Sequence, residues 1–114
     1  MLIDCTFLSN SALGLGPFSG GGGMHNNYGA APTLSGCTFT ANFALLGGAM
    51  INRDGAGLGS PNPTISGCTF NGNSASDRGG GLYNRDRSSP IVTESTFCDN
   101  VALTFPRFLY HPLC

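Results

Sequence analysis

The chain writes one eight-residue phrase four times, and that repetition restricts its fold more than any other feature. The second copy reads Cys37-Thr38-Phe39-Thr40-Ala41-Asn42-Phe43-Ala44. Cys5-Thr6-Phe7 leads to Asn10 and Ala12, Cys68-Thr69-Phe70 to Asn73 and Ala75, and Ser95-Thr96-Phe97 to Asn100 and Ala102. The pattern is C-T-F-x-x-N-x-A, with one serine for cysteine. A second phrase follows the first three copies: Gly21-Gly22-Gly23-Met24-His25-Asn26, Gly47-Gly48-Ala49-Met50-Ile51-Asn52 and Gly79-Gly80-Gly81-Leu82-Tyr83-Asn84. The equivalent apolar positions Leu2, Leu34, Ile65 and Val92 stand 32, 31 and 27 residues apart. Periods of this length belong to solenoids and arrays, in which each repeat buries its apolar face only by stacking on its neighbours.

Within each repeat the period of the side chains is that of a strand. In L-x-x-C-T-F the cysteine and phenylalanine point one way and the threonine the other, as alternation requires. The β-branched and aromatic residues favour strand, no stripe recurs every 3.6 residues, and 18 glycines with 7 prolines exclude a chain built mainly of helices. Gly36 before Cys37 predicts a kink between two short strand pieces. Asn10, Asn42, Asn73 and Asn100 fall where the chain must turn, since asparagine tolerates left-handed backbone. Stacked turns would also let their amides hydrogen-bond to one another up the column. The glycine doublets predict a second corner, followed by a strand with Met24, Met50 and Leu82 inward and ended by a further turn column, Asn26, Asn52 and Asn84. A third side must come from the stretches through Pro32-Thr33-Leu34, Pro63-Thr64-Ile65 and Pro90-Ile91-Val92.

The expectation is therefore an all-β, right-handed parallel β-helix of about three and a half coils. Repeats span 1–102, in coils near 2–33, 34–64, 65–91 and 92–102, and a non-repeat tail over 103–114 is a candidate C-terminal cap. Residues 13–20 and 53–62 are insertions rich in glycine and proline and read as exposed loops. The chain opens inside a repeat, with neither the basic start nor the apolar stretch of a signal peptide, and so reads as a fragment of a longer protein. Its strand edges, open at both ends, predict end-to-end self-association.

Cys5, Cys37 and Cys68 share one repeat position, which makes them a buried packing column rather than a disulfide framework. His25, His111, Cys98 and Cys114 lack the spacing of a zinc site. No cofactor or metal is expected. Only 10% of residues are charged, lysine is absent and the formal net charge is −1, so nothing points to nucleic acid or an anionic membrane as partner. No apolar run reaches the roughly 18 residues of a membrane-spanning helix, and no membrane insertion by this segment is expected.

Chemistry is sparsely marked. Asp4, Asp54, Asp77, Asp86, Glu94 and Asp99 are scattered along the repeats, without the paired carboxylates of glycoside hydrolysis or the clustered acids of a calcium-dependent lyase. The one constellation is Arg53-Asp54 with Arg85-Asp86, which register would set on neighbouring coils. It reads as a small charged surface patch of solvated turns trading weak ion pairs, with a sugar- or acid-binding site as the sharper alternative. The outward column Thr6, Thr38, Thr69 and Thr96 reads as a β-former on an exposed strand.

The alternation of F-x-x-N, at Phe7/Asn10, Phe39/Asn42, Phe70/Asn73 and Phe97/Asn100, with Gly47-Gly48-Ala49-Met50 and its counterparts resembles the repeats of chlamydial-type polymorphic outer-membrane proteins. More broadly it is similar to right-handed β-helices of the pectin-lyase-like kind. The resemblance covers about residues 2–102. It implies a structural or adhesive segment of a bacterial surface or secreted, autotransporter-passenger-like protein, located at the cell surface or outside the cell. The segment would have no catalysis of its own, and a carbohydrate or host-surface ligand is the implied partner. The alternative is a fragment of a polysaccharide-active β-helix enzyme, pectate-lyase-like or a glycosidase.

Overall fold

The computed structural model describes residues 1–16, 19–54, 57 and 59–104. Among these residues every regular element is a strand. They fall into four sheets. The first contains β1 (Leu2–Ile3), β5 (Thr33–Ser35), β9 (Thr64–Ser66) and β13 (Ile91–Thr93). The second contains β2 (Thr6–Leu8), β6 (Thr38–Thr40), β10 (Thr69–Asn71) and β14 (Thr96–Cys98). The third contains β3 (Ser11–Ala12), β7 (Phe43–Leu46), β11 (Ser74–Arg78) and β15 (Val101–Ala102), and the fourth β4 (Met24–Asn27), β8 (Met50–Arg53) and β12 (Leu82–Arg85). Every pairing is parallel, and each strand pairs with the one four places further along the chain. That connectivity is a parallel β-helix.

Register holds the repeat together. Leu2, Leu34, Ile65 and Val92 share one column, and Phe7, Phe39, Phe70 and Phe97 another. Leu34, Phe39, Met50, Ile65 and Phe70 are wholly buried, with Leu2, Phe7, Met24 and Leu82 packed around them at the margins. Successive phenylalanine rings lie parallel with centroids 4.4, 4.8 and 4.5 Å apart. This is the ~4.7–4.9 Å spacing of neighbouring strands, so the backbone ladder sets the ring stack.

The thiols also form a column, but they stand at the corner between the first and second sheets rather than inside a strand. Cys5, Cys37 and Cys68 are free, and each Sγ donates to the carbonyl two residues earlier, at 3.4, 3.6 and 3.4 Å. Ser95 makes the same bond at 2.9 Å, which explains how serine replaces cysteine in the fourth copy. Burial pushes the Cys68 thiol above its ordinary pKa. The kink expected at Gly36 is a full corner, with Gly36 at φ +64 and Gly67 at φ +59 separating strands of different sheets.

The coil has four sides, not three. The side missing from the sequence reading is the third sheet, formed just after the asparagine column. The left-handed residue at this corner is not asparagine but its predecessor: Ser9, Ala41 and Asp99 have φ of 55, 55 and 53, and Gly72 has 62. The asparagines themselves turn inward and bond in sequence. Asn10 Nδ2 donates to Asn42 Oδ1 at 3.0 Å, Asn42 Nδ2 to Asn73 Oδ1 at 2.9 Å, and Asn73 Nδ2 to Asn100 Oδ1 at 2.9 Å. Each Oδ1 also accepts the backbone N–H of the asparagine one coil earlier, at 2.9–3.0 Å. The second amide hydrogens of Asn42, Asn73 and Asn100 reach the carbonyls of Phe7, Phe39 and Phe70. Asn42 and Asn73 therefore use both donors and both acceptor positions while wholly buried. Independent surface turns would leave those groups in water.

Asn26, Asn52 and Asn84 are likewise not strand-ending turns. They sit inside β4, β8 and β12 in mutual register and form a second inward ladder, with Asn26 Nδ2 to Asn52 Oδ1 and Asn52 Nδ2 to Asn84 Oδ1 both 2.8 Å. The glycine doublets make the corner between the third and fourth sheets. Gly47 needs its positive φ of 61, whereas Gly48 is required by space, since a Cβ there would stand 2.3 Å from the Gly80 carbonyl oxygen. The expected cap lies largely outside the described residues, which on this side end at Thr104.

Candidate functional site

The structure brings together only part of the predicted charged patch. Arg53 and Arg85 are neighbours in register on β8 and β12. Arg53 and Asp54, however, are only 5% and 7% exposed, so this half of the patch is buried and not a solvated turn. Asp54 Oδ2 lies 3.5 Å from Nη2 of the exposed Arg87, and Arg85 Nε 3.7 Å from Asp86 Oδ1. Asp54 thus meets an arginine from outside the predicted patch, whereas Arg85 and Asp86 pair within it. Among the described residues, no three histidine, cysteine or acidic side chains come together as a metal site, and no helix is long and apolar enough to cross a membrane.

His25 occupies β4 next to this buried pair, in register with Ile51. Burial, and then the Arg53 guanidinium, hold its pKa below the ordinary imidazole value of 6.5. The unfolded chain therefore takes up a proton below that pH more readily than the folded one, and stability falls as pH drops beneath about 6.5. Denaturant midpoints between neutral and mildly acidic pH should show this fall, and His25→Gln should flatten it.

A concavity lies on the outer face of the glycine-doublet corner. There the third and fourth sheets meet in a groove of about 310 Å³ lined by Leu45, Leu46, Asp77, Arg78, Tyr83 and Arg85. The corner leaves no room for side chains: a Cβ at Gly79 would stand 2.6 Å from the Tyr83 Cβ, and one at Gly47 3.1 Å from the Ile51 Cβ. One coil earlier Leu46 and Ile51, at the same corner, are buried. Gly20, at the end of the first insertion, presses its backbone so close that a Cβ there would be 2.9 Å from Ile51 Cδ1 and 3.2 Å from Leu46 Cβ. In register, covered Leu46 gives way to Arg78 and covered Ile51 to Tyr83. The residues change from aliphatic to polar where the insertion stops covering them.

Of the predicted residues only Arg85 lines this groove. Asp77, Arg78 and Tyr83 were missed because the site is assembled from two coils and two sheets, and no short motif spells it. The available signal was the change from aliphatic to polar between two registered pairs, Leu46 to Arg78 and Ile51 to Tyr83.

With the geometry in place, comparison with known proteins adds one positive finding. No curated protein and no solved structure matches the chain significantly. Residues 67–85, which run from the corner before β10 to the end of β12 and hold one F-x-x-N and one glycine doublet, match the Chlamydia polymorphic membrane protein (Chlamydia_PMP) repeat.

Proposed function

We propose that this chain is a structural or adhesive β-helix segment of a bacterial cell-surface or secreted protein, without catalysis of its own. The observation that carries the reading is the coincidence of the polymorphic-membrane-protein repeat match at 67–85 with a coil whose asparagine and phenylalanine columns run through its neighbours. A rod that repeats its own bonding can be lengthened by adding coils without redesign, which suits a stalk or displayed passenger. The wider likeness to pectin-lyase-like β-helices rests on the coil architecture alone.

The adhesive part is tested with beads coated with the purified chain and counted on epithelial monolayers against albumin-coated beads. Retention well above albumin is the expected result, and equal counts would overturn the adhesive role. End-to-end self-association belongs to the same proposal: β1, β2, β3 and β4 each have a strand partner on one side only among the described residues, and such edges template further pairing. Light scattering should show mass rising with concentration.

A further inference from the structure

We propose that Asn71 is a site of spontaneous covalent modification, where deamidation through a succinimide leaves isoaspartate or aspartate at the corner of the third coil. The inference is independent of the surface-segment reading. Asn71 is the one asparagine in the sequence followed by glycine. The reaction favours that order, because the backbone nitrogen of the next residue attacks the side-chain carbonyl carbon and glycine puts no side chain in its path. Asn71 ends β10 with its side chain exposed, and Gly72 is exposed beside it. A Cβ at Gly72 would meet nothing within 4 Å, so a five-membered ring has room to close. The ladder residues Asn42 and Asn73 are followed instead by Phe43 and Ser74, and both are wholly buried.

The atoms balance with water as the only outside reactant. The Gly72 N–H loses its proton to solvent, its nitrogen bonds to Asn71 Cγ, and ammonia leaves. Water then opens the ring at either carbonyl. One opening gives aspartate with the chain as before, and the other gives isoaspartate with the chain running through the side-chain carbons. Both products add one negative charge to a chain of formal net charge −1.

One bond holds the reaction back. The Gly72 N–H donates to Cys98 O at 2.9 Å, and it must be released before the nitrogen can lose its proton and attack. Cys98 ends β14, and β13, β14 and β15 of this last coil each have a strand partner on one side only among the described residues. End elements of this kind open locally at lower cost than the body of a fold. Fraying of the fourth coil therefore sets the rate. The isoaspartate product then loosens the coils on both sides. The Asn71 carbonyl that accepts the Ala41 N–H at 3.1 Å becomes a free carboxylate, and the backbone gains an atom two residues before Asn73, whose amide must reach Phe39 O and Asn100 Oδ1.

The experiment ages the full chain at neutral pH and body temperature, with peptide mass spectrometry to locate each converted asparagine and an isoaspartyl methyltransferase to mark isoaspartate. Asn71 is expected to convert first. The folded chain should convert about tenfold more slowly than the same chain in guanidinium chloride, the factor that a local opening of about 1.4 kcal/mol sets. Phe97→Ala removes the outermost ring of the stack, 4.5 Å from Phe70, and should convert at nearly the denatured rate while keeping the parent's circular dichroism. Val101→Ala, a smaller cut in the same coil, should fall between, and Leu8→Ala, exposed in the first coil, should convert like the parent. Gly72→Ala should stay unconverted over the time in which the parent is half converted. Converted chain, separated by ion exchange on its added charge, should melt below fresh chain. The proposal is overturned by another asparagine converting first, by no conversion at Asn71 once the denatured chain has fully converted, by equal rates in the folded and denatured chains, by Phe97→Ala and Val101→Ala converting at the parent's rate, or by converted chain that melts like fresh chain.

Discussion

Replacing Asn73 by alanine is expected to lower the melting temperature by about 15 °C or more, from a loss of about 3–5 kcal/mol. Its Oδ1 holds both the backbone N–H and one amide hydrogen of Asn42, and its own amide bonds Phe39 O and Asn100 Oδ1, all at 2.9 Å. Alanine deletes four bonds and strands two Asn42 donors in a place where Asn42 is wholly buried. Each orphaned buried donor costs about 1–3 kcal/mol, and marginal stabilities of about 5–15 kcal/mol leave little reserve. The control is Thr69→Ala, which removes a partly exposed side chain on the outer face of β10 and should cost under about 1 kcal/mol. Thermal melts followed by circular dichroism separate the two, and equal losses would mean that the ladder contributes nothing beyond a turn.

Gly48→Ala is expected to be at least as damaging, for a steric reason. The added methyl would stand 2.3 Å from Gly80 O, 2.4 Å from Ser74 O and 2.6 Å from Ser74 C, and all three are backbone atoms of the next coil. No rotamer change relieves such a clash, so adjacent coils must separate at the corner. Overpacking of this sort costs upwards of about 3 kcal/mol. Gly72→Ala is the informative comparison. Nothing lies within 4 Å of its added methyl and only the φ of 62 resists it, at roughly 1–2 kcal/mol. Ala41 holds the equivalent position at φ 55 in the coil above. Soluble yield and denaturant midpoints should rank Gly48→Ala far below Gly72→Ala.

What could be read from the sequence was what the chain repeats in kind. Phe39 and Phe70 announce a column because the same bulky residue recurs at the same phase of a strand. Asn42 and Asn73 announce a ladder because a free turn would accept aspartate, serine or glycine as readily. The third sheet was illegible for the converse reason. Its outward positions carry Ser11, Phe43, Ser74 and Val101, which share no character, and β3 and β15 are two residues long. Pairing with neighbouring coils makes these strands, not propensity. The left-handed corner was assigned to asparagine because the residues that adopt it, Ser9, Ala41, Gly72 and Asp99, have nothing in common but position. Asn52 was taken for a turn because its ladder lies within a strand, where asparagine is uncommon.

The charged residues were harder still, because burial of Arg53 and Asp54 depends on what other parts of the chain lay over them. A dipeptide such as Arg-Asp reads as solvated on composition alone, and Arg85-Asp86 does lie in water. The groove is a property of the corner that the glycine doublet makes between the third and fourth sheets. That corner is a three-dimensional fact that the order of Asp77, Arg78, Tyr83 and Arg85 does not carry.

The claim beneath all of this is that residues about thirty apart, rather than near neighbours, stack in parallel. Nuclear Overhauser contacts among the aromatic side chains test it most directly. The account predicts ring-to-ring contacts from Phe7 to Phe39, Phe39 to Phe70 and Phe70 to Phe97, matching centroids 4.4, 4.8 and 4.5 Å apart, with slowly exchanging amide protons on Asn42 and Asn73. Cross-strand contacts between β6 and β7, as in an antiparallel hairpin through Ala41 and Asn42, would contradict it.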